Sequence, residues 1–127
     1  MPEKNKKILI LEEEKTLVFP IKKKLEKAGY SVSAAYDGVS GLEKAFKEKP
    51  DMIMVDLVLP KKDGLAVITE IKNHPVLKNA EIVILTNLTD EKMFWKARRL
   101  GVDHYLVTSN FLLKEVVDKI KKIFKHK

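Results

Sequence analysis

Three consecutive glutamates, Glu12, Glu13 and Glu14, directly follow the short apolar run Ile8–Leu11, and one aspartate, Asp56, closes a second run, Met52–Val55. A carboxylate at the end of a buried strand is costly unless it meets water, a cation or hydrogen-bond donors. Several that converge therefore imply a hard metal ion. Mg2+ is the natural candidate, because it takes carboxylate, carbonyl and water oxygens and commonly binds through one or two carboxylates together with phosphate oxygens. The plainer reading of Glu12 to Glu14 is a helix start, where negative charge suits the dipole. That accounts for Glu14 and leaves the acid closing the other run unexplained. His74, His104 and His126 show no spacing that suggests a metal site or proton relay, and they are read as incidental. The chain has no cysteine, which excludes disulfides, a thiol nucleophile and cysteine metal sites and fits a reducing compartment.

The elements that must position these acids can be read from periodicity. Ile8–Leu11, Val32–Tyr36, Met52–Val55, Ile82–Leu85 and Tyr105–Val107 each have the length and apolarity of a strand. Helical stripes fill the gaps: Leu17, Val18, Ile21, Leu25 and Ala28; Val39, Leu42, Ala45 and Phe46; Leu65, Ile68 and Ile71; Met93, Ala97 and Leu100; and Leu113, Val116, Val117, Ile120 and Phe124. Gly29, Gly101 and Lys49-Pro50 stop helices, while Asp37-Gly38, Lys62-Asp63-Gly64 and Thr89-Asp90 supply turns or N-caps. Pro20 interrupts the first stripe, where it should kink the helix or mark a late start. Regular alternation of strand and helix predicts an α/β fold with a parallel sheet covered on both faces. The second strand, Val32–Tyr36, mixes in polar and small residues and reads as an edge. The order 2-1-3-4-5 follows, with a switch point between the first and third strands, where the acids lie.

At 127 residues the chain reads as a single domain, residues 1–127, long enough to bury a core without a structural metal. No apolar run approaches the ~20 residues needed to span a bilayer. The amino terminus does not resemble a signal peptide, so the cytoplasm is the expected location. The net charge is +7, carried by Lys22-Lys23-Lys24, Lys61-Lys62 and lysines between Lys119 and Lys127 that are not interleaved with exposed aromatics. These are read as solvated helix faces. Neither nucleic acid nor a membrane is expected as a partner, and an acidic protein suits the charge better.

With these residues in place the sequence resembles the receiver domain family of response regulators, of the chemotaxis-regulator-like kind, from Lys6 to about Phe124. The most specific segment, Asp56-Leu57-Val58-Leu59-Pro60-Lys61-Lys62-Asp63-Gly64, looks like the family's phosphoacceptor aspartate followed by a proline and an Asp-Gly that opens the third helix. Ile82-Val83-Ile84-Leu85-Thr86 resembles its fourth strand ending in the switch hydroxyl, and Tyr105 stands at the switch aromatic of the fifth. The resemblance implies a flavodoxin-like (βα)5 three-layer sandwich. It also implies a phosphoacceptor signalling domain, at most self-phosphorylating and self-dephosphorylating, in which Asp56 takes a phosphoryl group from a phosphohistidine. Glu12, Glu13, Asp56 and the Val58 carbonyl would hold Mg2+. Thr86 would then move to the phosphoryl group and Tyr105 would turn inward. The implied partners are a sensor histidine kinase or phosphotransfer protein and a downstream target on the face of the fourth helix, fifth strand and fifth helix, with Phe94, Trp95 and Phe111 as candidate anchors.

Two departures from the family pattern stand out. Thr108 replaces the lysine that follows the fifth strand, and Ser109 replaces the proline beside it. Lys114 lies too far along to substitute for that lysine. A hydroxyl can donate one hydrogen bond to a phosphoryl oxygen but cannot neutralise its charge, so phosphorylation or its coupling to shape should be weaker. Glu12 and Glu13 stand where aspartates are usual, and their extra methylene alters reach. The expected function is a single-domain response regulator without an output domain. The rival is a degenerate receiver acting as a phosphorylation-independent interaction module. A flavodoxin-like electron carrier and a haloacid-dehalogenase-like phosphatase fit poorly, because three glutamates stand where a phosphate loop or an Asp-x-Asp would be needed.

Overall fold

The central strands form because their residues are buried on both faces. In the computed structural model, which describes residues 5–86, 91–107 and 113–125, five parallel strands pair in the order β2-β1-β3-β4-β5. They are β1 (Lys7–Leu11), β2 (Ser31–Ala35), β3 (Met52–Val55), β4 (Glu81–Thr86) and β5 (His104–Val107). Alternate residues of the central strands feed two separate cores. Leu9, Leu11, Ile53, Val55, Ile82 and Ile84 pack beneath α2 (Gly38–Glu48), α3 (Gly64–Lys72) and α4 (Glu91–Arg99). Ile8, Ile10, Met52, Met54, Val83 and Leu85 pack beneath α1 (Lys15–Lys27) and α5 (Leu113–Lys125). The three-layer α/β sandwich and its strand order agree with the sequence reading, and β2 is an edge.

Helix ends follow their capping residues. The Asp37 carboxylate accepts from the Ser40 N–H at 2.8 Å, which with the Ser40 hydroxyl holds its pKa below the ordinary aspartate value. Asp63 caps α3 by accepting from the Ala66 N–H at 2.9 Å. Replacing Asp63 by alanine should cost about 1 kcal/mol in a denaturant melt; an unchanged midpoint would show that this cap contributes nothing. Lys49, at φ 50°, ends α2 in the left-handed conformation, and Gly29 and Gly101 follow α1 and α4 at positive φ. Thr89 and Asp90 lie outside the described residues.

Three expectations need correction. Pro20 sits inside α1, which already begins at Lys15, so the late start is wrong; position 20 simply contributes no N–H to the helix ladder. In α2, Val39 and Phe46 are exposed (44% and 39%). The buried side of that helix is centred on its glycines, since a Cβ at Gly41 would lie 2.7 Å from the Leu11 side chain and one at Gly38 1.9 Å from the Lys62 carbonyl oxygen. Leu42 and Ala45 of the expected stripe stay in the core, whereas Val39 and Phe46 are turned outward, and Phe46 stacks on His74 with ring centroids 5.1 Å apart. His74 is not incidental: its Nδ1 accepts from the N–H groups of Val76 (3.1 Å) and Leu77 (3.2 Å), which shapes the turn into the short 3₁₀ segment Leu77–Asn79. On the open side of β2, the Lys44 ammonium donates to the Ala34 carbonyl at 3.0 Å and the Ser33 hydroxyl donates to Glu48 at 2.6 Å.

Candidate functional site

Strands β1 and β3 are neighbours in register, Leu11 beside Val55, so the next residue of each, Glu12 and Asp56, emerges at the same sheet end. Backbone bonds hold both positions: the Asp56 N–H donates to the Leu11 carbonyl at 2.9 Å and the Glu12 N–H to the Ala35 carbonyl at 3.2 Å. Glu12 and Asp56 are the buried charged residues among those described, 5% and 8% exposed. Their side chains hydrogen-bond each other. The Val58 N–H donates to Asp56 Oδ1 at 2.9 Å, and the Glu14 N–H donates to Glu12 Oε2 at 3.0 Å.

Burial, first, and the hydrogen bond and charge of Asp56 raise the Glu12 pKa from 4.5 to about 8, against a smaller lowering by the Glu14 N–H. Two carboxylates in contact must share a proton when no cation accompanies them. Among the described residues no lysine, arginine or histidine nitrogen lies within 4.0 Å of either. The nearby loop lysines are engaged elsewhere, Lys62 with Glu70 and Lys61 with Asp37 at 3.9 Å.

The loop from β3 to α3 is held from below. Leu57 and Leu59 are buried, while Val58 between them is 55% exposed at the mouth of the site. Gly64 N–H donates to the Leu57 carbonyl at 3.0 Å, and a Cβ at Gly64 would fall 2.3 Å from the Asp56 carbonyl oxygen. Lys61 takes φ 68° where the loop turns, and Pro60 accepts from the Gly38 N–H at 3.0 Å, tying the loop to α2.

Of the residues singled out in the sequence, Glu12 and Asp56 come together and Val58 borders them. Glu13 is exposed, and no group of three or more acidic or histidine side chains is arranged around a common point among the described residues. Thr86 ends β4, and Tyr105 in β5 is half-buried, the ring of Phe94 meeting its own edge-on at 5.0 Å and 83°. Trp95 is 56% exposed and packs against Phe94. Thr108, Ser109 and Phe111 lie outside the described residues. Sequence reasoning missed the two backbone donors, Val58 and Glu14 N–H, since every residue but proline carries one and none is marked.

Oxygen-only donors that repel each other suit a hard cation, and one or two carboxylates are what Mg2+ takes from a protein beside water and phosphate. The donor set therefore fits Mg2+.

Paired acids at the switch point of a 2-1-3-4-5 sheet define a class, and comparison with known proteins agrees. Residues 8–121 match the model of the response regulator receiver domain, and the chain belongs to that family. It is 36% identical over 121 residues to the alkaline phosphatase synthesis transcriptional regulatory protein PhoP of Bacillus subtilis (strain 168), covering 95% of this chain and 49% of that protein. The chain thus spans about half the length of that curated relative. A crystal structure from Chloroflexus aurantiacus, described as a response regulator, superposes with a TM-score of 0.87 at 29% identity, covering 96% of this chain and 99% of that one. The Mn2+-bound form of response regulator Rcp1 superposes with a TM-score of 0.80 at 30% identity, covering 89% and 90%. The protein is accordingly a receiver domain of two-component signalling, a family whose members work as signalling domains, bind divalent cations, and meet histidine kinases or phosphotransfer proteins and downstream targets.

Proposed function

We propose that Asp56 is the phosphoacceptor of a response regulator acting through partner proteins. The observation that carries this is the buried, hydrogen-bonded pair of Glu12 and Asp56 at the ends of β1 and β3. An Asp56 carboxylate oxygen attacks the phosphorus of a phosphohistidine, the P–O bond forms as the P–N bond breaks, and the histidine nitrogen leaves with the bonding pair. The Val58 N–H fixes the rotation of the Asp56 carboxylate for that attack, and the strand-end backbone bonds keep it from retreating. Glu12, Asp56 and the Val58 carbonyl would hold Mg2+, with Glu13 adding charge at the rim. When bound, the ion screens repulsion between carboxylate and phosphoryl group. Thr86 would supply the hydroxyl that answers the phosphoryl group, and Tyr105, already packed on Phe94, would repack the face of α4, β5 and α5.

Thr108 supplies no charge where the family has a lysine, and no cationic nitrogen lies within 4.0 Å of the acids among the described residues. That combination favours a second reading, an interaction module that works without phosphorylation.

Intact-mass spectrometry after incubation with acetyl phosphate separates the two. The expected result is a gain of one phosphoryl group that requires Mg2+ and vanishes in Asp56→Asn. A folded wild-type protein that stays unmodified, while another receiver is modified alongside, would leave the interaction module as the function.

A further inference from the structure

The charge of this chain is not spread evenly over its layers. Helices α1 and α5 pack side by side over one sheet face, Val18, Ile21 and Leu25 sharing a core with Val116, Ile120 and Phe124. These two helices carry ten lysines against three acids, while the rest of the chain carries fifteen basic and fifteen acidic residues. The whole excess of +7 therefore belongs to one layer. On α1 the exposed residues Phe19, Lys23 and Lys27 recur every four positions along the side away from the core. The sequence reading holds that these lysines lack exposed aromatics; the structure corrects it, for Phe19 is 54% exposed with the Lys23 ammonium 5.1 Å from its ring centroid. Exposed Lys114, Lys121, Lys122 and Lys125 continue the field on α5.

We propose that the α1/α5 layer is a docking surface for an anionic lipid bilayer. Three features select this occupant. The cations are all lysines, and neither helix has the arginine, asparagine or glutamine that reads phosphates and bases in forked geometry. They lie on the outer sides of two adjacent helices, which suits an extended plane of charge. Phe19 is the one exposed ring borne by these two helices, the kind of apolar contact that settles at the headgroup level. Tyr36, the exposed ring beneath the Lys15 ammonium, lies apart from it just past β2, whereas single-stranded nucleic acid asks for a row of successive rings. Each lysine near an anionic surface strengthens binding about fivefold. A few acting together give weak, reversible, salt-sensitive attachment that leaves the carboxylate pocket exposed at the sheet end. The inference is independent of the phosphoacceptor reading, and Asp56→Asn should bind equally well.

The test is co-sedimentation of the whole chain with vesicles of phosphatidylcholine alone and of phosphatidylcholine with about one third phosphatidylserine. Binding is expected only to the anionic vesicles, weakened at least about tenfold by 0.5 M NaCl. Combining Lys23→Glu, Lys27→Glu and Lys122→Glu should weaken it about a hundredfold or more, and Phe19→Ala severalfold, with thermal melts confirming that both fold. The charge-matched set Lys47→Glu, Lys49→Glu and Lys78→Glu, on other surfaces, should bind within about twofold of wild type. Equal affinity for both vesicle types, equal loss in the charge-matched set, or tighter binding to an oligonucleotide duplex than to the anionic vesicles at the same salt would each overturn the proposal. Should the triple variant not fold, Phe19→Ala and the salt series decide between the same outcomes.

Discussion

Gly64→Ala is expected to destabilise the fold by about 3 kcal/mol and to lower the thermal midpoint by roughly 10 °C. Helix propensity alone says the opposite, because Gly64 opens α3 and alanine is the better helix former there. Positive φ is not the issue either, since that conformation occurs at Gly29 and Gly101 and not here. Space decides: the added Cβ would lie 2.3 Å from the Asp56 carbonyl oxygen and 2.6 Å from Leu57 Cα, both backbone atoms. Relief requires moving either α3 or the end of β3, and the second choice displaces the Asp56 carboxylate. Phosphoryl uptake should therefore fall along with stability. A wild-type melting curve for Gly64→Ala would mean that α3 can lift away from the strand end at little cost.

The second large effect is a dependence of stability on pH that runs against the usual behaviour of carboxylates. In the folded state Glu12 holds its proton up to about pH 8, while the ordinary value is 4.5. Between those limits the folded protein binds more protons than the unfolded chain, so raising the pH removes stability. The contribution is complete below pH 4.5 and gone above about pH 8. With a chelator present, the loss across that window should be roughly 2 kcal/mol, less than the whole shift would give because Glu12 and Asp56 titrate as a pair. Mg2+ should restore stability most at the alkaline end, where both carboxylates can ionise around it. Glu12→Gln keeps a hydrogen-bonding group and removes the titration. Chemical denaturation at several pH values should show a flatter profile for this variant and little response to Mg2+; an equal slope in both proteins would assign the effect to another group.

Much of the fold was legible because the central strands are buried on both faces. Ile8 to Leu11 and Met52 to Val55 read as unbroken apolar runs, and parallel pairing with helices on each side is the arrangement that hides them. The capping residues Asp37 and Asp63 were equally legible, since each side chain does locally what its type does best. The face of α2 was legible only in part: Leu42 and Ala45 are buried as their periodicity says, but Val39 and Phe46 are not, because Gly41 lets the helix close on Leu11 and hydropathy gives no credit for a missing side chain. The site divides along the same line. The sequence identifies Glu12 and Asp56 as acids at strand ends, and neighbouring strands bring them together. It could not show that Glu13 points outward, or that a backbone N–H holds each buried carboxylate, because such contacts depend on how the chain turns after the strand.

The Lys44 ammonium on the Ala34 carbonyl bears on how copies of this domain can meet. Strand β2 offers a row of outward hydrogen-bonding groups, which in most sheets invites another chain to extend the ladder. Here a charged side chain from α2 already occupies one acceptor, and the Ser33 hydroxyl is committed to Glu48. A strand approaching that border would have to displace a lysine and desolvate its charge. Crowded copies are thereby steered away from extending the sheet across its β2 border.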